Sequence, residues 1–156
     1  MFRVNINPEL GTRDPKQTLM STQLNLLFVC VENSCRSQMA EALAKRYGGA
    51  RVNAWSAGSH PRGAVDPRTI DIMKEKGISL DGHMSKGLEA LPAATWDAVV
   101  GMGCGDTCAF LPAKRHLSWS IPAPGGADLA PYRQARDVID QRVKELLASF
   151  GLESPS

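Results

Sequence analysis

The sequence has no apolar run approaching the roughly 20 residues that a helix needs to cross a bilayer. Residues 1–22 also contain no apolar segment typical of a secretory signal, so we expect a cytoplasmic chain without membrane contact. An excess of charge of one sign is nearly absent too, because 18 basic and 16 acidic side chains leave a formal net charge of +2. So small a surplus argues against nucleic acid as a partner, and any positive field that matters must be local.

Cysteine is sparse, and its four copies form two close pairs, Cys30 with Cys35 and Cys104 with Cys108. In a reducing compartment cysteines work as thiols and seldom form structural disulfides. Two close pairs in such a chain therefore predict either metal binding or redox chemistry. The residues around each pair determine whether metal binding or redox chemistry is the better interpretation.

The length of 156 residues suits a single domain with one hydrophobic core. We expect that catalytic domain over 24–150. A polar, poorly ordered extension is expected over 1–23 and a short tail over 151–156.

Short apolar runs alternate with amphipathic stretches along the domain. Strands are predicted over 24–31, 51–57, 96–102 and 116–121, and helices over 36–47, 66–76, 86–91 and 129–150. Asp66 and Pro67 have the residue types of a helix start, and Ser85 suits the cap of a short helix. The predicted apolar stripe of the last helix includes Val138, Ile139, Val143, Leu146 and Leu147. This alternation predicts a three-layer α/β fold, a parallel sheet with helices on both faces.

One short motif, Cys30-Val-Glu-Asn-Ser-Cys-Arg36-Ser37, lies between the first predicted strand and the first predicted helix. Its turn can aim successive backbone N–H groups at one point, and the helix adds partial positive charge. Arg36 can bind a tetrahedral oxyanion through two parallel hydrogen bonds. The same positive surroundings favour the nucleophilic thiolate of Cys30, to which Ser37 can donate a hydrogen bond. The predicted oxyanion-binding residues are Val31, Glu32, Asn33, Ser34, Cys35, Arg36 and Ser37.

The alternative interpretation of this motif is a buried structural cysteine beside an unrelated surface arginine, because the spacing C-x5-R also occurs by chance. The position of the motif favours the oxyanion site, since ligands of parallel sheets bind beyond the carboxyl ends of the strands. Gly58 and Cys104 also follow predicted strands, so we expect them at the same edge as Cys30.

Several stretches resemble the low-molecular-weight tyrosine phosphatase family, and in particular its arsenate reductase branch. They are Phe28–Glu41, with its most specific part Asn33–Glu41, then Ser56–Ser59, Met73–Ile78 and Ser85–Lys86. The resemblance covers about residues 26–147 and implies a four-stranded parallel sheet with an anion-binding loop. It also implies that Cys30 attacks phosphorus or arsenic.

The second cysteine pair acquires a role through this resemblance, because arsenate reduction requires two electrons and a phosphatase requires none. The reductase branch implies that Cys30 attacks arsenate and that Cys104 then attacks Cys30. Cys108 would next attack Cys104, leaving a Cys104–Cys108 disulfide for thioredoxin or another thiol reductant. Cys35 is predicted to be structural or a minor redox participant.

Two alternatives stay open for the cysteines. The spacings Cys30-x4-Cys35 and Cys104-x3-Cys108 are near those of a four-thiolate zinc site, although the charge of Arg36 opposes a cation there. Cys104 and Cys108 are otherwise ordinary loop thiols. For the chain as a whole, a phosphatase and a non-catalytic oxyanion-binding protein are the alternative functions.

The resemblance breaks in the late loop, where phosphatases of the family carry an aspartate as general acid. The matching position is Ala123, which cannot donate a proton. Asp106 and Asp128 are the nearest candidate substitutes, although solvated loop carboxylates are the simpler interpretation of both.

The expected partners are oxyanions (arsenate, phosphate or sulfate) and a thiol reductant, acting on a monomer. No resident metal or other cofactor is expected, apart from a potassium ion that the resemblance allows near Asn33, Glu41 and Ser56. An ordinary helix glutamate is the simpler interpretation of Glu41.

Overall fold

The computed structural model describes residues 23–92, 94–103 and 111–152. Its strands are β1 (Leu24–Cys30), β2 (Val52–Gly58), β3 (Ala98–Gly101) and β4 (His116–Ser118). Its α-helices are α1 (Arg36–Gly48), α2 (Pro67–Lys74) and α3 (Ala130–Ser149), and 3-10 turns cover Gly49–Arg51 and Leu88–Ala90. Within these ranges, no helix has both the length and the apolar composition that a bilayer crossing requires. The extension predicted over 1–23 lies outside the described residues except for Gln23, as does the tail beyond Leu152.

The four strands form one parallel sheet in the order β2-β1-β3-β4. The register pairs Cys30 with Gly58 and Val29 with Gly101, so three strands finish at one edge. This arrangement confirms the predicted α/β fold with a four-stranded parallel sheet. It also places the loop after β1 at the centre of the edge where ligands of such sheets bind.

The central strand β1 is buried on both faces, which is why it is a continuous apolar run. Leu26 and Phe28 belong to the larger core cluster, whereas Leu27 and Val29 belong to the smaller one. The larger cluster joins the sheet to apolar side chains of all three α-helices, among them Met39, Leu43, Ile72, Ile139, Val143 and Leu147. On the opposite face the smaller cluster contains Trp96, with Leu88 of the second 3-10 turn packed against it.

Two helix boundaries follow directly from local sequence. The side chain of Asp66 accepts a hydrogen bond from the backbone N–H of Arg68 at 2.9 Å, so it caps α2 as predicted, with Pro67 in the first turn. Gly49 has a φ of 56° just beyond α1, a conformation that glycine adopts without strain. The other strand and helix limits agree with the predicted limits to within three residues, and most to within the one or two residues by which element ends usually vary.

Two predictions about the fold are wrong. The short helix expected over 86–91 is only the 3-10 turn Leu88–Ala90. The hydroxyl oxygen of Ser85 does not cap it, because that oxygen accepts from the backbone N–H of Arg62 at 2.9 Å while its hydrogen goes to the Glu32 carbonyl at 2.7 Å. Val138, assigned to the apolar stripe of α3, is 46% exposed. The buried stripe runs through Ala135, Ile139 and Val143, and a step of one residue rotates Val138 by about 100° away from it.

Candidate functional site

The loop of residues 31–35 connects the end of β1 to the start of α1. Cys35 occupies the N-cap position of α1 but its side chain makes no capping hydrogen bond, so this side chain does not compete for the first N–H groups of the helix. Asn33 has a φ of 52°, the left-handed conformation that asparagine tolerates better than most residues. Gly58 lies against the loop so closely that a Cβ there would come within 2.6 Å of the Val31 carbonyl oxygen.

A cavity of about 420 Å³ opens in front of this loop. Its walls include the predicted loop residues Cys30, Val31, Glu32, Ser34, Cys35 and Arg36. The other two predicted residues, Asn33 and Ser37, are fully buried behind the loop. The structure therefore brings all of the residues predicted between positions 30 and 37 together at one site.

The candidate nucleophile Cys30 is 3% exposed, and its sulfur lies 2.9 Å from the hydroxyl oxygen of Ser37. The same hydroxyl oxygen accepts a hydrogen bond from the side-chain amide of Asn33 at 2.7 Å. Ser37 therefore connects the nucleophile to the left-handed residue of the loop. The hydroxyl is within hydrogen-bond distance of the attacking atom, and either group of the pair can be the donor.

Arg36 lies in the cavity wall and is held from behind. Its Nη1 donates to the carbonyl oxygen of Ile121 at 2.8 Å. A Cβ on Gly103 would lie 3.2 Å from the same nitrogen, so the end of the segment after β3 packs beside the guanidinium. The sequence continues from Gly103 with Cys104, the proposed second thiol.

The position at which the family's general acid was expected also lines the cavity, because Ala123 and Pro124 form part of the cavity wall. A methyl group stands where the family resemblance predicted a carboxylic acid. Asp128, one suggested substitute, is exposed and is not part of that wall, so its substitute role finds no support. Asp106, the other suggestion, lies outside the described residues.

A carboxylate that the sequence identified only as a helix cap lines the cavity as well. Asp66 joins the loop through its backbone N–H, which donates to the Ser34 carbonyl at 2.9 Å, and its side chain accepts from Tyr132 at 3.3 Å. Burial opposes its ionisation, but hydrogen bonds and charge from Arg68 outweigh burial and hold the pKa of Asp66 below its ordinary value. A carboxylate held ionised is a poor proton donor, so Asp66 does not replace the missing acid.

Cys35 differs from Cys30 in its surroundings. Burial raises the pKa of the Cys35 thiol to about 12, and the negative charge of Asp66 adds to this effect. Near neutral pH the side chain is therefore a neutral thiol and a weak nucleophile. The prediction that Cys35 is structural or a minor redox participant stays a prediction.

Two of the three residues suggested for potassium, Glu41 and Ser56, are in contact, but cationic side chains already lie beside them. Glu41 accepts from Ser56 at 2.5 Å and from Lys45 at 2.5 Å, and the ammonium of Lys86 lies 3.5 Å away. Burial alone would raise the pKa of Glu41, but these hydrogen bonds and charges lower it overall. Glu41 is therefore a buried carboxylate whose negative charge is balanced by hydrogen bonds and by the ammonium groups of Lys45 and Lys86.

Two neighbours of the loop, the buried Gln38 and the partly buried His83, were not connected with the site by the sequence. The amide nitrogen of Gln38 donates to the backbone and side-chain oxygens of Asn33, and its amide oxygen lies 2.9 Å from Nδ1 of His83. Gln38 belongs to the helix pattern and His83 to a loop 45 positions away, so no local signal links them.

Cys104 and Cys108, the residues of the predicted thiol relay, lie outside the described residues. They are also two of the four ligands in the alternative zinc site. Over the parts of the chain that are described, no three His, Cys, Asp or Glu side chains cluster as metal ligands. Both predictions for the second pair accordingly stay predictions.

Comparisons with known proteins agree with this geometry. The family model described as "Low molecular weight phosphotyrosine protein phosphatase" matches residues 25–155. A glutaredoxin arsenate reductase from Synechocystis sp. is 34% identical over 128 residues, which are 80% of this chain and 97% of that protein. A solved arsenate reductase in a phosphate-binding state is 32% identical with a TM-score of 0.72, covering 81% of this chain and 98% of that one. A thioredoxin-dependent arsenate reductase from Corynebacterium glutamicum is 32% identical with a TM-score of 0.69, covering 87% of this chain and 66% of that one.

Proposed function

We propose, from the premise that this chain belongs to the low molecular weight phosphotyrosine protein phosphatase family, that it reduces arsenate to arsenite. One observation carries the proposal. A buried cysteine with a hydroxyl partner faces an arginine-containing oxyanion cavity, and the segment leading to two further cysteines packs against that arginine. The arsenate reductases to which the chain is similar support the same reaction.

The first step is nucleophilic attack by the thiolate of Cys30 on arsenic. A sulfur–arsenic bond forms, an arsenic–oxygen bond breaks, and the departing oxygen leaves as water after taking up protons. Loop N–H groups and the Arg36 guanidinium compensate the negative charge of the arsenate oxygens. Arsenic keeps its oxidation state in this step.

Electron transfer follows in the second step. Cys104 attacks the sulfur of Cys30, the sulfur–arsenic bond breaks, and arsenic keeps the electron pair of that bond and leaves as arsenite. Cys108 then attacks Cys104, which releases Cys30 as a thiolate and leaves a Cys104–Cys108 disulfide. A thiol reductant such as thioredoxin, or a glutathione–glutaredoxin pair, supplies the two electrons that restore both thiols.

The cavity wall favours arsenate over phosphate esters as the substrate. Cleavage of an ester releases an alkoxide that needs a proton from a neighbouring acid, and Ala123 cannot supply one. Arsenate instead carries its own exchangeable protons. We therefore assign phosphatase action to a weak side reaction at most, restricted to esters with good leaving groups.

The proposed chemistry also defines the surroundings of the protein. Two thiols, Cys104 and Cys108, must be restored after each turnover, so the proposed reaction suits the reducing cytoplasm. All three relay thiols belong to one chain, so a monomer suffices. The thiols carry both electrons, so no metal or organic cofactor is needed, and Lys45 and Lys86 already provide positive charge beside Glu41.

The test is arsenate turnover with reduced thioredoxin, compared with a glutathione–glutaredoxin pair as the rival electron source. Cys108→Ser should release about one arsenite per chain and then stop, because the disulfide cannot move away from Cys30. Sulfate should still protect Cys30 of that variant from alkylation, which shows that the oxyanion cavity is intact. Sustained turnover by Cys108→Ser would refute the three-thiol relay.

A further inference from the structure

The late loop, residues 119–129 between β4 and α3, forms one wall of the oxyanion cavity through Ala123, Pro124 and Gly125. We propose that Arg68 is a positioning residue that holds the late loop against this cavity. Arg68 lies on α2, well outside the motif of residues 30–37, and its side chain also lines the cavity. The inference rests on the proposed function in one respect, that the cavity binds the oxyanion.

Core packing fixes the late loop near its two ends. Ile121 is buried in the larger core cluster, and Leu129 packs against the same cluster. The residues between these two are exposed or half-buried, and the two prolines among them have no backbone N–H to donate. Among the described residues, no hydrogen bond reaches positions 122–125. The part of the loop that lines the cavity therefore depends on a restraint from elsewhere.

Arg68 supplies such a restraint at Gly126. Its Nη1 donates to the carbonyl oxygen of Gly126, 58 positions along the chain. Within the described part of the chain, this is the one hydrogen bond that reaches the late loop between Ile121 and Leu129. Gly126 directly follows the three residues of the cavity wall, so a contact at its carbonyl limits how far that wall can move away.

The guanidinium of Arg68 is itself held by two helices. Its Nε and Nη2 each lie 3.1 Å from an oxygen of Asp66, a bidentate contact that fixes the plane of the group. The Cζ atom lies 4.9 Å from the ring centroid of Tyr132, which is on α3 and 2% exposed. The Tyr132 hydroxyl donates to Asp66 at 3.3 Å, so the ring and the carboxylate support each other. Arg68 therefore connects the starts of α2 and α3 to the late loop.

The contact requires the shape of a guanidinium as well as its charge. One edge of the group, Nε with Nη2, faces Asp66, while Nη1 on the other side donates to Gly126. A lysine ammonium is a single nitrogen on a flexible stem, so it cannot bind both oxygens of Asp66 and reach Gly126 at the same time. Lysine at position 68 would thus keep the positive charge beside the cavity and lose the connection to the loop.

Loss of the contact should loosen the cavity wall at Ala123 and Gly125. A mobile wall admits water, and water weakens the attraction between the Arg36 guanidinium and a bound oxyanion. The loosened wall must also be ordered again whenever an oxyanion binds, which costs conformational entropy. Both effects lower the affinity of the cavity, and ordering costs of this kind correspond to about fivefold to tenfold weaker binding.

The test compares Arg68→Met and Arg68→Lys with the wild-type chain. Nitrogen-15 relaxation should show backbone order parameters at Ala123 and Gly125 that fall from about 0.85 to below about 0.6 in both variants. Protection of Cys30 from iodoacetamide by sulfate should give a Kd for sulfate that is about fivefold to tenfold higher in both. Both proteins should stay folded, because Asp66 still accepts the backbone N–H of residue 68 and caps α2.

The matched control is Arg133→Met. The Arg133 side chain is 45% exposed, against 40% for Arg68, and it also binds a carboxylate, that of Glu75, through Nε and Nη2. Among the described contacts its guanidinium does not reach the late loop, so this variant should keep wild-type loop order and sulfate affinity.

Three results would overturn the proposal. They are wild-type sulfate affinity in Arg68→Lys, which would show that charge alone acts, unchanged loop order in both Arg68 variants, and an equal loss of affinity in Arg133→Met. If sulfate failed to protect Cys30 even in the wild-type chain, the oxyanion site of the proposed function would be refuted. The order parameters of the late loop would then decide the role of Arg68 by themselves.

Discussion

Replacing Gly58 with alanine should damage the oxyanion loop from outside the cavity. A Cβ at this position would lie 2.6 Å from the Val31 oxygen and 2.8 Å from the Asn33 nitrogen, both of them backbone atoms. Ordinary contacts begin near 3.4 Å, so the loop backbone must move by about 0.8 Å or β2 must shift away. Gly58 also donates from its backbone to the Lys86 carbonyl at 2.9 Å, which restrains β2. The loop is therefore expected to yield.

The magnitude follows from what the loop does. A misplacement of about 1 Å at a reacting group can cost about 100-fold in rate, and overpacking a tight contact costs about 1–3 kcal/mol of stability. Gly58→Ala should thus remain folded, lower kcat/KM for arsenate by about 100-fold, and weaken protection of Cys30 by sulfate. Steady-state kinetics, alkylation protection and chemical denaturation measure these three effects.

The matched control is Gly87→Ala, on the segment bridged to Gly58. A Cβ there meets the carboxylate end of the exposed Glu89 side chain, which can move aside at little cost. That variant should keep its oxyanion affinity and kcat/KM. If Gly58→Ala kept wild-type affinity and rate as well, the close approach of β2 would not be what shapes the loop.

Two further predictions concern the response to pH. Hydrogen bonds from Arg133 and Arg136 lower the pKa of Glu75 to about 2, so its contribution to stability is present above pH 4.5 and is lost as pH falls toward 2. Glu75→Gln should lower the free energy of unfolding at pH 7, and a difference from wild type that persists undiminished near pH 2 would contradict this. Burial raises the pKa of Cys35 to about 12, so its contribution is present below pH 9 and is lost between pH 9 and 12. The Cys35→Ala protein should therefore lose less of its free energy of unfolding between pH 9 and 12, as measured by denaturant titrations. If the free energy of unfolding of both proteins fell equally steeply with pH, the raised pKa of Cys35 would be wrong.

Local sequence patterns were enough for the elements that position the site. The apolar run of β1, the cap at Asp66 and the C-x5-R-S spacing each depend on neighbours within a few residues, which is why they are visible without a structure. Long-range competition explains the failures. Ser85 has the residue type of a cap, but its hydroxyl oxygen accepts from the backbone N–H of Arg62, 23 positions away. The partnership of Gln38 with His83 spans 45 positions and leaves no periodic signal.

The loop that contains Ile121 and Ala123 lacks the proton donor of the family's phosphatases but still positions Arg36. Its Ala123 cannot protonate a leaving group, yet the segment still lines the cavity. The reason lies two residues earlier, where the carbonyl oxygen of Ile121 accepts from Nη1 of Arg36. A guanidinium with five donors can give one to this carbonyl and still present others to an oxyanion, while the carbonyl limits its rotation. Anchoring of this kind reduces the side-chain entropy that Arg36 would lose on binding. Arsenate, which carries its own protons, still needs the positioned guanidinium but can dispense with the acid, so the loop retains the part that the proposed reaction uses.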